Sequence, residues 1–558
     1  MKKASRLISQ SWLLPILLLA LFLATRLPAL GRFITTDEAL WLRRSGNFYV
    51  AIANGDLAKT YQSPHPGVIT MWAGAAGFQA VFPQYARAGF PEIHDIQLLQ
   101  LMENRGVNPM EVLAAGRFAL VLVHAAAFLA MWPYARRLLG PLAAALGLAL
   151  LALDPFTIAH QRLLHLDGLL ASFILLSLLA YLDFLRGGKV TSLVVSAIAT
   201  GLAWLTKTPA WFLLPAIFGL TAFFLWRERN TKHGHRLSLW LAALIWLAVA
   251  LLILLLLFPA MWTAPFDVLG QIFAYSLGSA EGEFSGPIYF NGAVYPDGNL
   301  GAAGWFFYPL TFLWRSTPLV LMGLLLAAFF FGRAFKTKKS NDKSIDRPNG
   351  QFAVPFLFLA ALLFAIFMSV ADKKFDRYLL PALPPLMLVA GWGWVRLAEN
   401  IEWLRQQTWR EIALLAVVAG LQLASALPAF PYYLSYYNPM VGAGADEVMM
   451  IGWGEGLDQA AFYLNKQPGL QPWDAAAWYS VSFNLMSNVE ADDIPIALQL
   501  PPEQLEALLA KQYLVIYIHQ WQRGTPQNLL DALAAIEPEF RVWINGLEYV
   551  RVYHLHGN

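Results

Sequence analysis

Thr35-Thr36-Asp37-Glu38-Ala39-Leu40-Trp41 follows directly on an apolar run from about Trp12 to Leu30, and Gln62-Ser63-Pro64-His65-Pro66-Gly67 comes shortly after. The apolar run has the length of a bilayer crossing, which needs about 20 residues. Two adjacent carboxylates therefore stand just outside a membrane span, ahead of a turn that two prolines stiffen. A carboxylate at a bilayer surface can take a proton from an incoming hydroxyl, and a basic turn beside it can hold a phosphate. The rest of the chain reads as a scaffold around that position.

Composition supports a membrane setting. Of 558 residues, 58% are hydrophobic and 13% charged, against about a quarter charged in ordinary soluble domains. The net charge of +3 says less than where the basic residues fall, and the absence of cysteine excludes disulfides and thiolate chemistry. Met1-Lys2-Lys3-Ala4-Ser5-Arg6 begins as a signal peptide would, but the apolar run is long and lacks a small-residue cleavage pattern. It reads as a retained first span with its N-terminus inside.

Apolar periodicity predicts about eleven transmembrane helices: 12–30, 112–135, 141–159, 168–186, 190–206, 209–226, 238–261, 306–332, 352–371, 377–397 and 411–429. Arg136-Arg137, Arg186 with Lys189, Arg227 to Arg236, Arg333 to Lys343, and Arg396 to Arg410 fall between alternate spans. All then share one face, the cytoplasmic one, with Lys336–Gly350 as a polar linker there. Residues 31–111, 262–305 and the C-terminal part lie on the other face. In that C-terminal part, 501–511 and 526–537 read as helices, Tyr513 to Ile518 as a buried strand, and Phe540 to Leu555 as a hairpin around Asn545-Gly546. The expected fold is a multi-pass α-helical membrane protein with a small extracytoplasmic α/β domain. Residues 1–430 form the membrane domain, with its loops 31–111 and 262–305, and 431–558 form the α/β domain.

Several polar positions could carry chemistry. Adjacent residues on a helix diverge by about 100°, so Asp37 and Glu38 cannot share a role: one can face a cavity while the other anchors the loop. Helix capping is the plain alternative for both. Asp167, in Arg162-Leu163-Leu164-His165-Leu166-Asp167, joins Asp154 and His160 in a polar cluster at the ends of spans three and four. Lys207, in Trp204-Leu205-Thr206-Lys207-Thr208-Pro209, is a lone outward lysine that seeks an anion or snorkels to headgroups. Lys373-Lys374-Phe375-Asp376-Arg377-Tyr378 packs four charges between two apolar helices and suggests a phosphate clamp, with Arg377 suited to bidentate contact. His65 can donate to a phosphate or serve the loop alone. Trp262, Tyr289, Asn291, Tyr295, Trp305 and Tyr308 are candidate sugar-facing groups, or interface anchors. His160 and His165 are five apart and lack metal-ligand spacing. No metal, nucleotide-binding loop or nucleic-acid motif is indicated, and no cofactor is expected.

Together these motifs resemble the membrane glycosyltransferases of the GT-C fold, closest to the protein O-mannosyltransferase and aminoarabinose transferase group. The features are the Asp37-Glu38 pair, Ser63-Pro64-His65-Pro66-Gly67, Arg162 to Asp167, Gly201 to Pro209 and Lys374 to Pro381. The resemblance spans roughly residues 1–430. It implies transfer of a sugar, mannose or a related hexose, from a polyprenyl-phosphate donor to a protein, lipid or glycan hydroxyl. The transfer would occur on the outer face of the plasma (inner) membrane. It makes Asp37, Glu38 and Asp167 the catalytic acids, with Asp37 as base. His65, Arg162, Lys207, Lys374 and Arg377 become the lipid-phosphate and donor-binding set. The aminoarabinose transferases place a lysine near where His65 stands, which is a departure here. The polyprenyl phosphate leaves as an anion, so the reaction needs an activated hydroxyl and positive charge rather than a strong acid. A single displacement would invert the anomeric centre. A multi-pass transporter or a non-catalytic polyprenyl-phosphate-binding protein are the alternatives.

Overall fold

The computed structural model describes residues 13–89, 92–187, 189–227, 233–280, 286–337, 352–403, 407, 409–442 and 444–555. Residues 1–12, with the N-terminus expected inside, and residues 338–350 of the expected linker lie outside the described residues. Among those described, seven helices are long and apolar enough to cross a membrane, or up to nine if each of two bent pairs is one span. The expected count of eleven is not reproduced. One expected span, 190–206, is the 15-residue helix Val190–Trp204, below the roughly 20 that a crossing requires; of the first expected span, Leu13–Arg26 is described and helical.

Two expected straight spans are broken, and both breaks lie near the site. Pro141–Leu153 and Pro155–Gln161 meet at 66°. Pro155 has no N–H to continue the first helix, and the Asp154 carboxylate caps the second by accepting from Thr157 N at 2.8 Å. The carbonyls of Leu151 and Ala152, freed by the break, accept from the buried Arg26 guanidinium at 3.4 and 2.6 Å, as backbone groups in a membrane setting require. The break turns the chain into the segment that carries Arg162 to Asp167. The second pair, Gly301–Arg315 and Pro318–Arg333, bends by 111° at Ser316 and Thr317, ahead of Pro318. Membrane helices pack closely where small residues face each other. A side-chain carbon on Gly391 would strike the Gly147 backbone of helix Pro141–Leu153.

The segments expected on the extracytoplasmic face are also ordered. The amphipathic stretch after the first span is helix Thr36–Ala53, and the short apolar stretch is helix Val68–Val81. Strands β1 (Ile288–Phe290) and β2 (Ala293–Tyr295) form a hairpin within 262–305. The C-terminal sheet comprises β3 (Ala475–Ala477), β4 (Ala491–Asp493), β5 (Tyr513–Tyr517), β6 (Phe540–Ile544) and β7 (Leu547–His554), in order β4-β3-β5-β7-β6. β3 runs parallel to β4 and β5, while β7 is antiparallel to β5 and β6. Every residue of β5 is buried, as its unbroken apolar run leads one to expect. The hairpin bridges to this domain through Asn291 N, which donates to Val448 O at 2.8 Å.

Candidate active site

Helix Thr36–Ala53 starts from an extended Thr35, and the two carboxylates that follow part ways at once. Glu38 turns inward and is fully buried. Its oxygens accept from Thr35 N and Oγ1 at 3.0 Å, Arg117 Nε at 2.7 Å, Arg117 Nη2 at 2.5 Å and Leu164 N at 2.6 Å. These bonds occupy the lone pairs of a charge that water cannot reach. Glu38 does not line the cavity, so the structure gives it the anchoring role and corrects its place among the catalytic acids.

Asp37 lies about a third of a turn away and faces a cavity of about 470 Å³, within the range of small-ligand sites. Its Oδ2 is 3.3 Å from His165 Nε2 and 3.3 Å from Arg377 Nη2. Burial pushes the Asp37 carboxyl up, but the His165 hydrogen bond and the Arg377 charge outweigh it and hold the group well below the usual carboxylate range. Asp37 is thus ionised at neutral pH with its side chain 36% exposed. Asp167 sits behind this layer and does not line the cavity. Its Oδ1 accepts from Lys207 Nζ at 2.7 Å, and its Oδ2 is 3.4 Å from both His165 Nδ1 and Arg377 Nε. Asp167 therefore orients the groups that touch Asp37 and does not itself meet a substrate.

The expected phosphate-binding set divides. Lys207 and Arg377 line the cavity, stacked on aromatic faces: Lys207 Nζ is 4.3 Å from the Tyr378 ring, and Arg377 Cζ is 4.2 Å from Phe375 and 4.4 Å from Trp453. Such faces hold a cation without consuming its charge. His65 also lines the cavity, 3.2 Å from Thr208 Oγ1 and edge-on to Tyr275. Burial, then the Lys207 charge, pushes its pKa down to about 3, so it offers a neutral N–H rather than the expected positive charge. The Lys374 ammonium donates to Ser369 O and Ala371 O at the end of the preceding helix, which leaves it largely committed. Arg162 is off the site: it donates to Pro28 O and lies over Tyr433. Of the aromatic candidates, Tyr289 lines the cavity, whereas Trp262 and Trp305 are each 59% exposed. Among the described residues no cluster of three or more metal-ligating side chains is present.

Residues 110–262 match the family model described as dolichyl-phosphate-mannose-protein mannosyltransferase. The full chain is similar to ArnT from Cupriavidus metallidurans in the apo state, at 15% identity and TM-score 0.50, over 97% of each chain. The same enzyme bound to undecaprenyl phosphate aligns at 15% identity and TM-score 0.48, again over 97% of each. The oligosaccharyltransferase of Archaeoglobus fulgidus, in complex with Zn and sulfate, aligns at 12% identity and TM-score 0.49, over 96% of this chain and 72% of its own. Comparison with the curated proteins gives no significant match. The chain thus shares the fold of ArnT, and part of it matches the mannosyltransferase family model.

Sequence reasoning missed three of the side chains around this site. Arg44, two helical turns on from Asp37 along the same face, lines the cavity, 4.7 Å over the Trp41 ring. Burial, then Arg43, pushes its pKa down to about 10, so it stays charged. Arg315, at the corner of the second bent pair, holds Asp376 at 2.6 Å and the carbonyls of Leu434 and Tyr436 at 2.6 and 2.8 Å. This fixes the residue next to Arg377. Trp453 reaches in from the C-terminal region: its carbonyl accepts from Thr36 N at 3.2 Å, and its ring packs edge-on against His165 at 4.8 Å. One residue thus touches the start of the Asp37 helix and both partners of Asp37. The approach needs Gly454, whose φ is +120° and where a side-chain carbon would lie 2.5 Å from Ile34 O. The run Gly452-Trp453-Gly454-Glu455-Gly456 was the available signal, and its spacing marks a close backbone approach.

Two outcomes follow. Because the Asp37 pKa is depressed in the free site, its carboxylate survives acidification, so kcat/KM should show no acid limb between about pH 8 and pH 5. Burial lowers the Lys207 pKa, with Asp167 opposing it, so its ammonium is lost below the usual value of about 10.4. A pH–rate profile should therefore fall on the alkaline side, and Lys207→Arg should move that limb upward; an acid midpoint near 6 would contradict the assignment. Secondly, Trp453→Leu should lower kcat about tenfold to a hundredfold, with donor KM and melting temperature little changed. Trp453→Phe should recover most of the loss. Steady-state kinetics that find the Leu and Phe variants equally impaired would reject the aromatic contact as the cause.

Proposed function

We propose that this protein is a glycosyltransferase that moves a hexose, mannose or a close relative, from a polyprenyl-phosphate carrier to an acceptor hydroxyl on a protein, lipid or glycan. The reaction takes place at the extracytoplasmic face of the plasma membrane. The observation that carries this reading is the ionised Asp37 carboxylate exposed in a cavity whose described lining is strongly basic: Arg44, Lys207, Arg315, Lys373, Lys374, Arg377 and Arg523 outnumber Asp37, Asp376 and Glu455. The family description names a dolichyl-phosphate-mannose donor, which supports the carrier and the sugar. Basic loops gathered on the opposite face support the orientation.

In this mechanism the donor phosphate approaches from the membrane and is met by Arg377, Lys207 and Arg44, with the His65 N–H as a neutral donor. Positive charge placed where the phosphate departs stabilises the developing negative charge. The phosphate draws Arg377 toward itself, which loosens the Arg377 contact to Asp37 and raises the basicity of the carboxylate. Asp37 then accepts the acceptor hydroxyl proton as that oxygen attacks the anomeric carbon and the carbon–oxygen bond to phosphate breaks. His165, held between Asp37 and Asp167, keeps the carboxylate in line.

Purified protein in nanodiscs, given radiolabelled polyprenyl-phosphate mannose or glucose and candidate acceptors, tests the reading. The expected product carries the anomeric configuration opposite to that of the donor, read by NMR. A product that retains the donor configuration would rule out single displacement, and donors that are never consumed would reject the transferase assignment for those sugars.

A further inference from the structure

Five arginines are buried among the described residues: Arg26, Arg117, Arg162, Arg315 and Arg523. Arg117 and Arg315 are matched to carboxylates. Arg26 and Arg162 donate to oxygen acceptors, the Gln161 amide among them. Arg523 differs. It is 9% exposed, it makes no ion pair among the described residues, and its one hydrogen bond runs from Nε to the weak acceptor Met450 Sδ at 3.2 Å. Its terminal nitrogens, without a protein partner, belong to a side chain that lines the same cavity as Asp37.

An unpaired buried guanidinium is costly, and a protein that keeps one in a cavity wall has left its counter-ion to come from elsewhere. The neighbouring groups agree with that. Tyr479, on the same wall, sits in the left-handed region at φ +59° and shares a 2.6 Å hydrogen bond with His519 Nδ1; neither side chain supplies a negative charge. Arg523 ends the short helix Ile518–Arg523 that follows β5. It therefore comes from the C-terminal sheet domain, whereas Arg44, Lys207 and Arg377 come from the membrane-domain segments. A lipid-borne phosphate reaches the second group first, and a polar acceptor entering from water meets the first.

We propose that Arg523 is the centre of a second anion subsite, which binds an oxyanion, phosphate or carboxylate, carried by the acceptor. The assignment rests on the transferase reading above for the word acceptor, but not for the anion site itself. Guanidinium suits such groups because its planar N–H fork matches two oxygens at once. The subsite would select acceptors bearing a charged group near the hydroxyl that attacks, and would hold that hydroxyl toward Asp37.

The test uses the full chain in nanodiscs loaded with undecaprenyl phosphate, which fills the donor-phosphate position. Methyl glucoside 6-phosphate, methyl glucuronide and uncharged methyl glucoside are titrated, with binding followed by ligand-observed NMR. The phosphate or the carboxylate sugar should bind at least about tenfold more tightly than the neutral one, the order of one charge-assisted contact. Whichever charged sugar binds tells phosphate from carboxylate. Arg523→Gln should abolish the preference and Arg523→Lys should keep part of it, with undecaprenyl phosphate affinity unchanged in both. Equal binding of all three sugars, a preference that survives Arg523→Gln, or charged-sugar binding only when undecaprenyl phosphate is omitted would each overturn the proposal. Should the protein bind no undecaprenyl phosphate, the donor reading fails, while the Arg523-dependent preference remains measurable.

Discussion

The pairing of Glu38 with Arg117 is the constraint from which the site follows. A carboxylate and a guanidinium are each expensive to strip of water, and the pair is tolerable only when close geometry uses nearly every donor and acceptor. Here the backbone of Leu164 and the cap of the Asp37 helix complete the set. That single knot joins the outer helix after the first span, helix Pro109–Leu139, and the turn that carries His165 and Asp167. With Glu38 held inward, helical geometry leaves Asp37 one direction to point, into the cavity. The carboxylate in the cavity is placed by the buried one.

Around Asp37 the charges are layered rather than paired off. Asp167 neutralises Lys207 at hydrogen-bond distance and shares Arg377 and His165 with Asp37 at the longer distances of an ion pair. Such contacts are loose enough to be remade when a phosphate arrives, and strong enough to order the side chains. Aromatic faces from Phe375, Tyr378 and Trp453 hold the cations in place without cancelling them. The result is a cavity with surplus positive charge and one exposed base, an arrangement suited to an anionic leaving group and a neutral nucleophile.

Much of this was legible in the sequence where the determinant is local. The divergence of residues 37 and 38 follows from helical geometry alone. The hairpin at Asn545-Gly546 and the buried strand at Tyr513 each announce themselves within a few residues. The short Pro155–Gln161 helix was hidden in a longer apolar run because hydropathy does not register a cap: Asp154-Pro155 was the signal, and it reads equally as a polar end. Arg162 and Lys374 looked like phosphate ligands because charge near a membrane face invites that reading, yet nearby carbonyls claim both. Trp453 and Arg523 were out of reach for a different reason. Trp453 meets Thr36 and His165 hundreds of residues away in sequence, and only the fold of the C-terminal region brings it and Arg523 to the Asp37 cavity.

We propose Asp37 as the base and its neighbours as the phosphate clamp. Single-turnover measurement on Asp37→Asn in nanodiscs, with radiolabelled polyprenyl-phosphate mannose, separates the two roles. Donor binding should be at least as tight as in the wild type, since Arg377 loses a competing carboxylate, with turnover reduced about 10²- to 10⁴-fold. Turnover at the wild-type rate with the donor bound would contradict it.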